Sequence, residues 1–146
     1  MKKINWKKLI IIIVLTFIIG TLPSWFLNMS LEGLDTPFYV PKVLFPVVWS
    51  ILYILMSISY YLVSDEKDTL GIYSLQLIFN SVWSIIFFGF KFRFLAFIWL
   101  IILFIEVLIM FLKYIKINKI SGYLLIPYLI WLVIAGYLNI SIFILN

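Results

Sequence analysis

Five long apolar runs alternate with polar segments along the chain. The runs cover residues 9–27, 43–63, 69–90, 94–112 and 121–145. Each is close to the roughly 20 mostly apolar residues that a helix needs to cross a bilayer. Strands are not expected, because open sheet edges cannot sit in lipid and the alternating polar pattern of a barrel lumen is missing. The pattern predicts an all-α integral membrane bundle of five transmembrane helices that forms a single domain over residues 1–146.

The polar segments differ in length. Residues 28–42 form a long loop with Glu32, Asp35 and several prolines, whereas the other connections are short and charged. Short connections place sequential helices antiparallel. A loop as long as the first is often functional. Two interpretations stay open for it: a solvated linker, or a lid over a pocket.

Composition narrows the possible functions. Hydrophobic residues make up 66% of the chain, and its mean hydropathy is +1.21. A soluble domain of this size could not cover so much apolar surface. The absence of Cys and His excludes disulfides, thiol nucleophiles, zinc sites, His-based catalysis and the usual strong axial haem ligands. We therefore expect no metal site and no resident cofactor. The net charge of +5 needs no nucleic-acid partner, because anionic lipid headgroups and membrane topology account for it.

The distribution of cations predicts the orientation in the membrane. If the N-terminus is cytoplasmic, the inner side holds Lys2, Lys3, Lys7, Lys8, Lys67, Lys113, Lys116 and Lys119. The outer side then holds Lys42, Lys91 and Arg93. The positive-inside rule places the N-terminus inside and the C-terminus outside. We expect the membrane to be a bacterial cell membrane. A basic stretch before an apolar core also fits a signal peptide. The segment at residues 20–25 lacks a small-x-small cleavage site, however, and favours an uncleaved helix.

Aromatic and amide side chains recur at helical spacing within the runs. In the second run, Trp49, Tyr53, Met56 and Tyr60 share one face, as a pocket for a flat apolar ligand would require. In the third run, Gln76, Asn80 and Ser84 share a face beside Trp83; in the fifth, Trp131, Ala135 and Asn139 do the same. Intramembrane amides usually face the bundle interior. They can either join helices by hydrogen bonds or orient a ligand. Glu106 is an acid inside the fourth run that is either a proton or ion site or a group reaching the inner surface.

Three motifs, one in each of three runs, carry a resemblance to a known family. They are Phe45-Pro46-x-x-Trp49-x-x-Leu52-Tyr53, then Gln76-x-x-x-Asn80-x-x-Trp83-Ser84-x-x-Phe87-Phe88-Gly89, then Pro127-Tyr128-Leu129-x-Trp131 with Ala135-x-x-Leu138-Asn139. In this order they resemble the translocator protein (TspO/MBR) family, which includes bacterial tryptophan-rich sensory proteins and peripheral-type benzodiazepine receptors. The resemblance covers the chain from the first loop to the C-terminus.

The chain departs from the family pattern at three places. The Trp-x-Pro-Pro sequence before the second helix is replaced by Pro37-Phe-Tyr-Val-Pro41, so the lid is expected to fold differently. The family's acid near the start of the fourth helix is replaced by Trp99. No basic residue follows Leu138, and we therefore expect no cholesterol site of the proposed Tyr-then-basic type.

The resemblance implies a five-helix bundle, commonly a homodimer, that binds porphyrins and other flat hydrophobic molecules. Transferred residue by residue, it implies a ligand pocket formed by Phe38, Tyr39, Trp49, Tyr53, Gln76, Asn80, Trp83, Trp131, Ala135 and Asn139. Three functions remain open. The first is a membrane receptor or sensor for porphyrins such as protoporphyrin IX. The second is a light- and oxygen-dependent porphyrin-degrading enzyme, although no catalytic constellation is visible. The third is a tetrapyrrole transporter, although no inverted repeat supports it.

Overall fold

The computed structural model describes residues 3–146 and contains five long helices. They are α1 (Trp6–Thr21), α2 (Leu44–Val63), α3 (Thr69–Ser84), α4 (Arg93–Ile117) and α5 (Lys119–Leu145). A 3₁₀ turn, Leu22–Trp25, extends α1, and a π turn, Ile85–Gly89, extends α3. With these turns, all five helices are long and apolar enough to cross a membrane. Since residues 3–146 contain no strand, the predicted all-α membrane bundle is confirmed.

The helix ends follow from particular residues. Asn5 caps α1, because its side-chain oxygen accepts a hydrogen bond from the Lys8 amide at 3.2 Å. Pro23 lies in the 3₁₀ turn that ends this helix. Pro46 lies in the first turn of α2, where backbone N–H groups have no intrahelical acceptor and a missing one costs little.

The fourth helix is longer than the apolar run that predicts it. The run ends at residue 112, and the lysines after it suggest a turn, whereas α4 continues to Ile117 and includes Lys113 and Lys116. Lysine is a good helix former, and its stem can lie along apolar surface while the ammonium reaches water. The turn itself consists of Asn118, which is extended and whose side-chain oxygen accepts from the amides of Ile120 and Ser121 at 2.9 and 3.2 Å.

The five helices pack in a closed ring in the order α1, α2, α5, α4, α3. The most extensive contact joins α4 and α5. Gly122 permits their close approach, because a Cβ at this position would lie 2.9 Å from the Ile115 Cα. Reciprocal bonds between Ser59 and Ser121, each hydroxyl donating to the other residue's carbonyl at 2.7 Å, join α2 to α5. Such bonds satisfy polar groups that lipid could not.

The two ends of the bundle differ in charge. At one end, the Lys8 ammonium lies 3.1 Å from the Asp65 carboxylate, so the N-terminal segment meets the α2–α3 turn. At the other end, the amide of Asp35 donates to the Asn146 side chain at 3.1 Å, so the long loop meets the C-terminus. Lys42, Lys91 and Arg93 belong to this loop end, as expected. Lys2, counted at the opposite end, lies outside the described residues. Which end faces the cytoplasm stays a prediction.

Candidate functional site

An aromatic cavity lies between α1, α2 and α3 near the loop end of the bundle. Its volume is ≈ 200 Å³. Residues of all three helices and of the long loop surround it: Gly20, Thr21, Ser24, Met29, Phe45, Pro46, Trp49, Ser50, Tyr53, Trp83, Ser84 and Phe88. Three of the predicted site residues, Trp49, Tyr53 and Trp83, belong to this lining. We call this space the aromatic cavity.

Helix α2 supplies one wall of the aromatic cavity. The rings of Trp49 and Tyr53 lie 5.7 Å apart, inclined at 31°. The Tyr53 hydroxyl donates to the Gly20 carbonyl at 3.0 Å, which fixes the ring against α1. This contact depends on glycine, because a Cβ at Gly20 would collide with the Tyr53 ring.

The rest of the α2 aromatic stripe serves packing. Met56 is buried in the core, where its sulfur lies 3.8 Å from the Gln76 side-chain nitrogen. Tyr60 stacks on Tyr73 of α3, with 4.6 Å between ring centroids. The helical spacing therefore identifies the inward face correctly, but only its half nearest the loop reaches the aromatic cavity.

The end of α3 supplies the opposite wall. Trp83 stacks on Phe87 at 5.3 Å, and its indole nitrogen donates to the Asn139 side chain of α5 at 3.0 Å. The π turn Ile85–Gly89 contains Phe88, which also lines the aromatic cavity. Trp83 is only 4% exposed, so the bond to Asn139 satisfies a donor that is shielded from solvent.

The amides singled out by the sequence have structural partners or lie behind the cavity wall. Gln76 is fully buried, and its side-chain oxygen accepts from the Tyr128 hydroxyl at 2.8 Å. Asn139 accepts from Trp83 and donates to the Arg93 carbonyl at 2.8 Å. Asn80 lies beside Tyr53. Gln76, Asn80 and Asn139 do not line the aromatic cavity.

The α5 residues of the predicted site also lie outside the aromatic cavity. Trp131 packs behind Trp49, with 6.5 Å between ring centroids, and against Phe45 at 5.6 Å. Ala135 and Asn139 line an adjoining cleft of ≈ 10 Å³ that shares Phe45, Trp83 and Phe88 with the aromatic cavity. The cleft has room for about one water molecule. The structure therefore groups Trp49, Tyr53 and Trp83 around the aromatic cavity, whereas Trp131 packs behind Trp49 and Ala135 meets Trp83 in the adjoining cleft.

Two side-chain donors behind the cavity wall are unused. The Asn80 side-chain nitrogen and the Trp131 indole nitrogen are buried and have no hydrogen-bond partner within residues 3–146. Burying an unpaired donor costs about 1–3 kcal/mol. These groups are therefore available to an acceptor on a ligand if the wall in front of them moves.

The loop covers the mouth of the bundle and encloses a second space. This loop groove has a volume of ≈ 570 Å³ and includes Tyr39, which is 85% exposed. Phe38 is exposed as well and lines neither space. Met29, Phe45 and Pro46 line both the loop groove and the aromatic cavity. We call these three residues the partition, because they separate the two spaces.

Comparison of the amino-acid sequence with known proteins identifies the family of this chain. Residues 8–145 match the model of the TspO/MBR family. The chain belongs to the TspO/MBR family. It is 37% identical to "Protein CrtK" of Rhodobacter capsulatus, over 79% of this chain and 77% of that protein. It is 32% identical to "Tryptophan-rich protein TspO" of Archaeoglobus fulgidus, over 97% and 99% of the two chains. It is 31% identical to "Tryptophan-rich sensory protein" of Cereibacter sphaeroides, over 79% and 75%.

Sequence reasoning missed several cavity residues of this TspO/MBR protein. Phe45 is part of the second-helix motif, but nothing in its position showed that it would face a cavity. Phe88 is likewise part of the third-helix motif, whereas Gly20 and Ser24 belong to none of the three motifs. Gly20 lies in an apolar run that has no charged or amide residues at helical spacing to mark its inward face. Its role depends on the contact with Tyr53, which is far away in sequence.

Glu106 lies in α4 of this TspO/MBR protein and is half-buried. One of its carboxylate oxygens is buried and has no hydrogen-bond partner among the described residues. The side chain is outside the aromatic cavity and the loop groove. Within residues 3–146 no group of three or more His, Cys, Asp or Glu side chains is arranged to hold a metal ion.

Proposed function

We propose that this TspO/MBR protein is a membrane sensor that binds a porphyrin, or a similarly flat hydrophobic molecule, in the aromatic cavity. The observation that supports this most directly is the convergence of Trp49, Tyr53 and Trp83 on one space at membrane depth. Aromatic rings that face a cavity can stack on a flat ligand, and each good contact contributes about 1 kcal/mol beyond the burial of area. The Cereibacter sphaeroides relative is named a sensory protein, which agrees with such a role.

The size of the cavity determines how such a ligand would enter. At ≈ 200 Å³ the aromatic cavity is below the range of about 300–1,000 Å³ that is usual for ligand pockets. The partition separates it from the loop groove of ≈ 570 Å³. Movement of Met29 and Phe45 would join the two spaces into one that a tetrapyrrole can occupy. Binding is therefore coupled to a change in the loop, as a sensor requires.

The polar groups around the cavity favour a ligand with a polar edge. Ser24, Ser50 and Ser84 contribute to the lining. Asn80 and Trp131 each offer an unused donor behind the wall. Donors of this kind suit the carboxylates of a porphyrin, whereas the chain contains no His or Cys that would ligate its iron. The protein should therefore bind metal-free protoporphyrin at least as well as haem.

A titration with protoporphyrin IX, followed by the absorbance of the porphyrin, tests the proposal. Trp49→Leu should weaken binding by at least about fivefold, since one stacking contact and the area of the indole are lost. The matched control is Trp99→Leu, because Trp99 stacks on Phe79 at 4.5 Å and lies outside the aromatic cavity. Equal losses in the two variants, with both proteins folded, would refute the assignment of the cavity.

The same samples separate binding from breakdown. A sensor should leave the absorbance of the bound porphyrin unchanged in the dark and change it in the light no faster than a porphyrin-binding control protein does. A faster, oxygen-dependent loss in the light that disappears in Trp49→Leu would favour the degrading enzyme instead.

A further inference from the structure

A furrow runs along the lipid-facing side of the seam between α4 and α5. Its part nearest the loop has a volume of ≈ 630 Å³ and includes Lys91, Arg93, Phe94, Phe143 and Asn146. Its deeper part has a volume of ≈ 310 Å³ and includes Phe97, Ile101, Phe104, Val133, Gly136 and Tyr137. None of these residues lines the aromatic cavity, so the furrow is a separate feature.

The two parts lie on the same faces of the two helices. On α4, residues 94, 97, 101 and 104 follow one another at steps of three or four, and on α5 residues 133, 136, 140 and 143 do so. Phe94 and Phe143, which line the part nearest the loop, pack against each other with 5.3 Å between their ring centroids. Both rings are about half exposed, so a chain can pass over them from one part to the other.

The two parts differ in chemistry. The deeper part is apolar, and Gly136 lies in its lining. A Cβ there would make ordinary van der Waals contact with Leu100 at 3.7 Å, and a larger side chain would extend into the groove. The part nearest the loop carries Lys91 and Arg93. The ion pairs found within residues 3–146 join Lys8 to Asp65 and Lys42 to Glu32, and neither furrow cation takes part in one. The Arg93 guanidinium lies over the Phe87 ring, 4.8 Å from its centroid, and donates to the Lys91 carbonyl at 3.4 Å, which holds the two cationic residues together.

The length of the furrow corresponds to one leaflet of a membrane. Arg93 is the first residue of α4, and Phe104 lies eleven residues further along it. At a rise of 1.5 Å per residue these residues are about 16 Å apart, close to half of the roughly 30 Å hydrocarbon core. A cationic site at the membrane–water interface, next to an apolar groove of this length, is complementary to the phosphate headgroup and one acyl chain of a phospholipid.

We propose that the furrow binds an anionic phospholipid of the leaflet on the loop side. The phosphate lies between Lys91 and Arg93, and one acyl chain passes over the Phe94–Phe143 pair and occupies the groove at Gly136. The furrow shares no residue with the aromatic cavity and meets the loop groove only at Leu34, so the two proposed sites can be tested separately.

Native mass spectrometry of the purified full-length protein in detergent tests the proposal. Phosphatidylglycerol should bind at least about fivefold more tightly than phosphatidylcholine of the same chain length. Lys91→Asn should weaken phosphatidylglycerol binding by about fivefold, the effect of one cation at the membrane surface. Asn suits the site because Lys91 has a φ of 59°, and Asn adopts this left-handed conformation at low cost. Arg93→Gln should weaken binding to a similar extent. If the Arg93→Gln variant does not fold, the Lys91→Asn variant still tests the proposal.

Matched controls distinguish this site from its alternatives. Lys42→Gln removes a loop-end cation that is paired with Glu32 at 3.3 Å, and it should leave the affinity unchanged. Gly136→Leu should weaken binding by fivefold or more by filling the groove, whereas Gly71→Leu, at a position with open space, should not. Equal effects of Lys91→Asn and Lys42→Gln would overturn the proposal. Displacement of the lipid by an equal concentration of glycerol phosphate would also overturn it. So would a Gly136→Leu variant whose oligomeric state changes while its lipid affinity does not.

Discussion

Replacement of Asn139 by leucine tests whether the α5 amide belongs to the fold or to the ligand. Its oxygen accepts from the Trp83 indole at 3.0 Å, and its nitrogen donates to the Arg93 carbonyl at 2.8 Å. The side chain thus joins α5 to the end of α3 and to the start of α4. Because both of its functional groups are in use, we expect Asn139→Leu to act mainly on stability.

The magnitude follows from the bonds that are lost. An interhelical hydrogen bond in a membrane contributes about 0.6–1.7 kcal/mol, so two of them contribute about 1–3 kcal/mol. Leucine has a similar volume, and a swap that conserves volume adds little strain. The Trp83 indole would remain buried without an acceptor, which places the expected loss of unfolding free energy in the upper half of this range.

Asn80→Leu is the matched control on α3. Asn80 is equally buried, at 2% exposure, but its side-chain nitrogen has no partner in the described part of the chain. Replacing a buried polar group that is not fully paired by an apolar one of similar shape can be nearly neutral. We expect Asn80→Leu to change the unfolding free energy by less than about 1 kcal/mol and to change porphyrin affinity more than Asn139→Leu does.

Equilibrium unfolding in mixed micelles, followed by circular dichroism, measures the first quantity, and a protoporphyrin titration measures the second. A larger loss of stability in Asn80→Leu than in Asn139→Leu would refute the reasoning, since it would mean that the unpaired amide carries the greater share of helix association.

Three further predictions concern packing, topology and metal. Gly20→Ala should lower the thermal midpoint and weaken porphyrin binding, because its Cβ would collide with the Tyr53 ring, whereas Gly71→Ala meets open space and should be neutral or stabilising. In intact cells, Tyr39→Cys should react with an impermeant thiol reagent and Lys67→Cys should not; the reverse labelling would invert the predicted orientation. The pure protein should give no low-spin Soret spectrum with two nitrogen ligands when haem is added, because the chain has no His; such a spectrum would contradict the predicted preference for the metal-free ring.

The fold could be predicted from the sequence because lipid leaves few alternatives. A run of about 20 apolar residues must satisfy its own backbone, so it becomes a helix. The helix ends were less predictable. Apolar content marks the limit of the hydrocarbon core, whereas a helix such as α4 can continue past it through Lys113 and Lys116 until Asn118 offers a cap.

The roles of the buried amides could not be predicted, because they depend on partners that are distant in sequence. Helical spacing correctly places Gln76 and Asn139 on inward faces. It does not show that Gln76 meets Tyr128, or that Asn139 meets Trp83. The sequence therefore cannot decide whether an amide joins two helices or orients a ligand. The order of the helices in the ring decides it, because it determines which side chains meet.

The same order explains why the residues predicted to share one pocket are divided. Helix α2 packs between α1 and α5, so one aromatic stripe contributes to two interfaces. Trp49 borders the aromatic cavity and packs at 6.5 Å against Trp131 of α5. A ligand in the cavity can reach Trp131 only if Trp49 or Phe45 moves aside. Trp131→Ala should therefore weaken protoporphyrin binding less than Trp49→Ala does, by loosening the support of the wall rather than by removing a stacking surface. The opposite order of the two losses would place the ligand on the α5 side of Trp49.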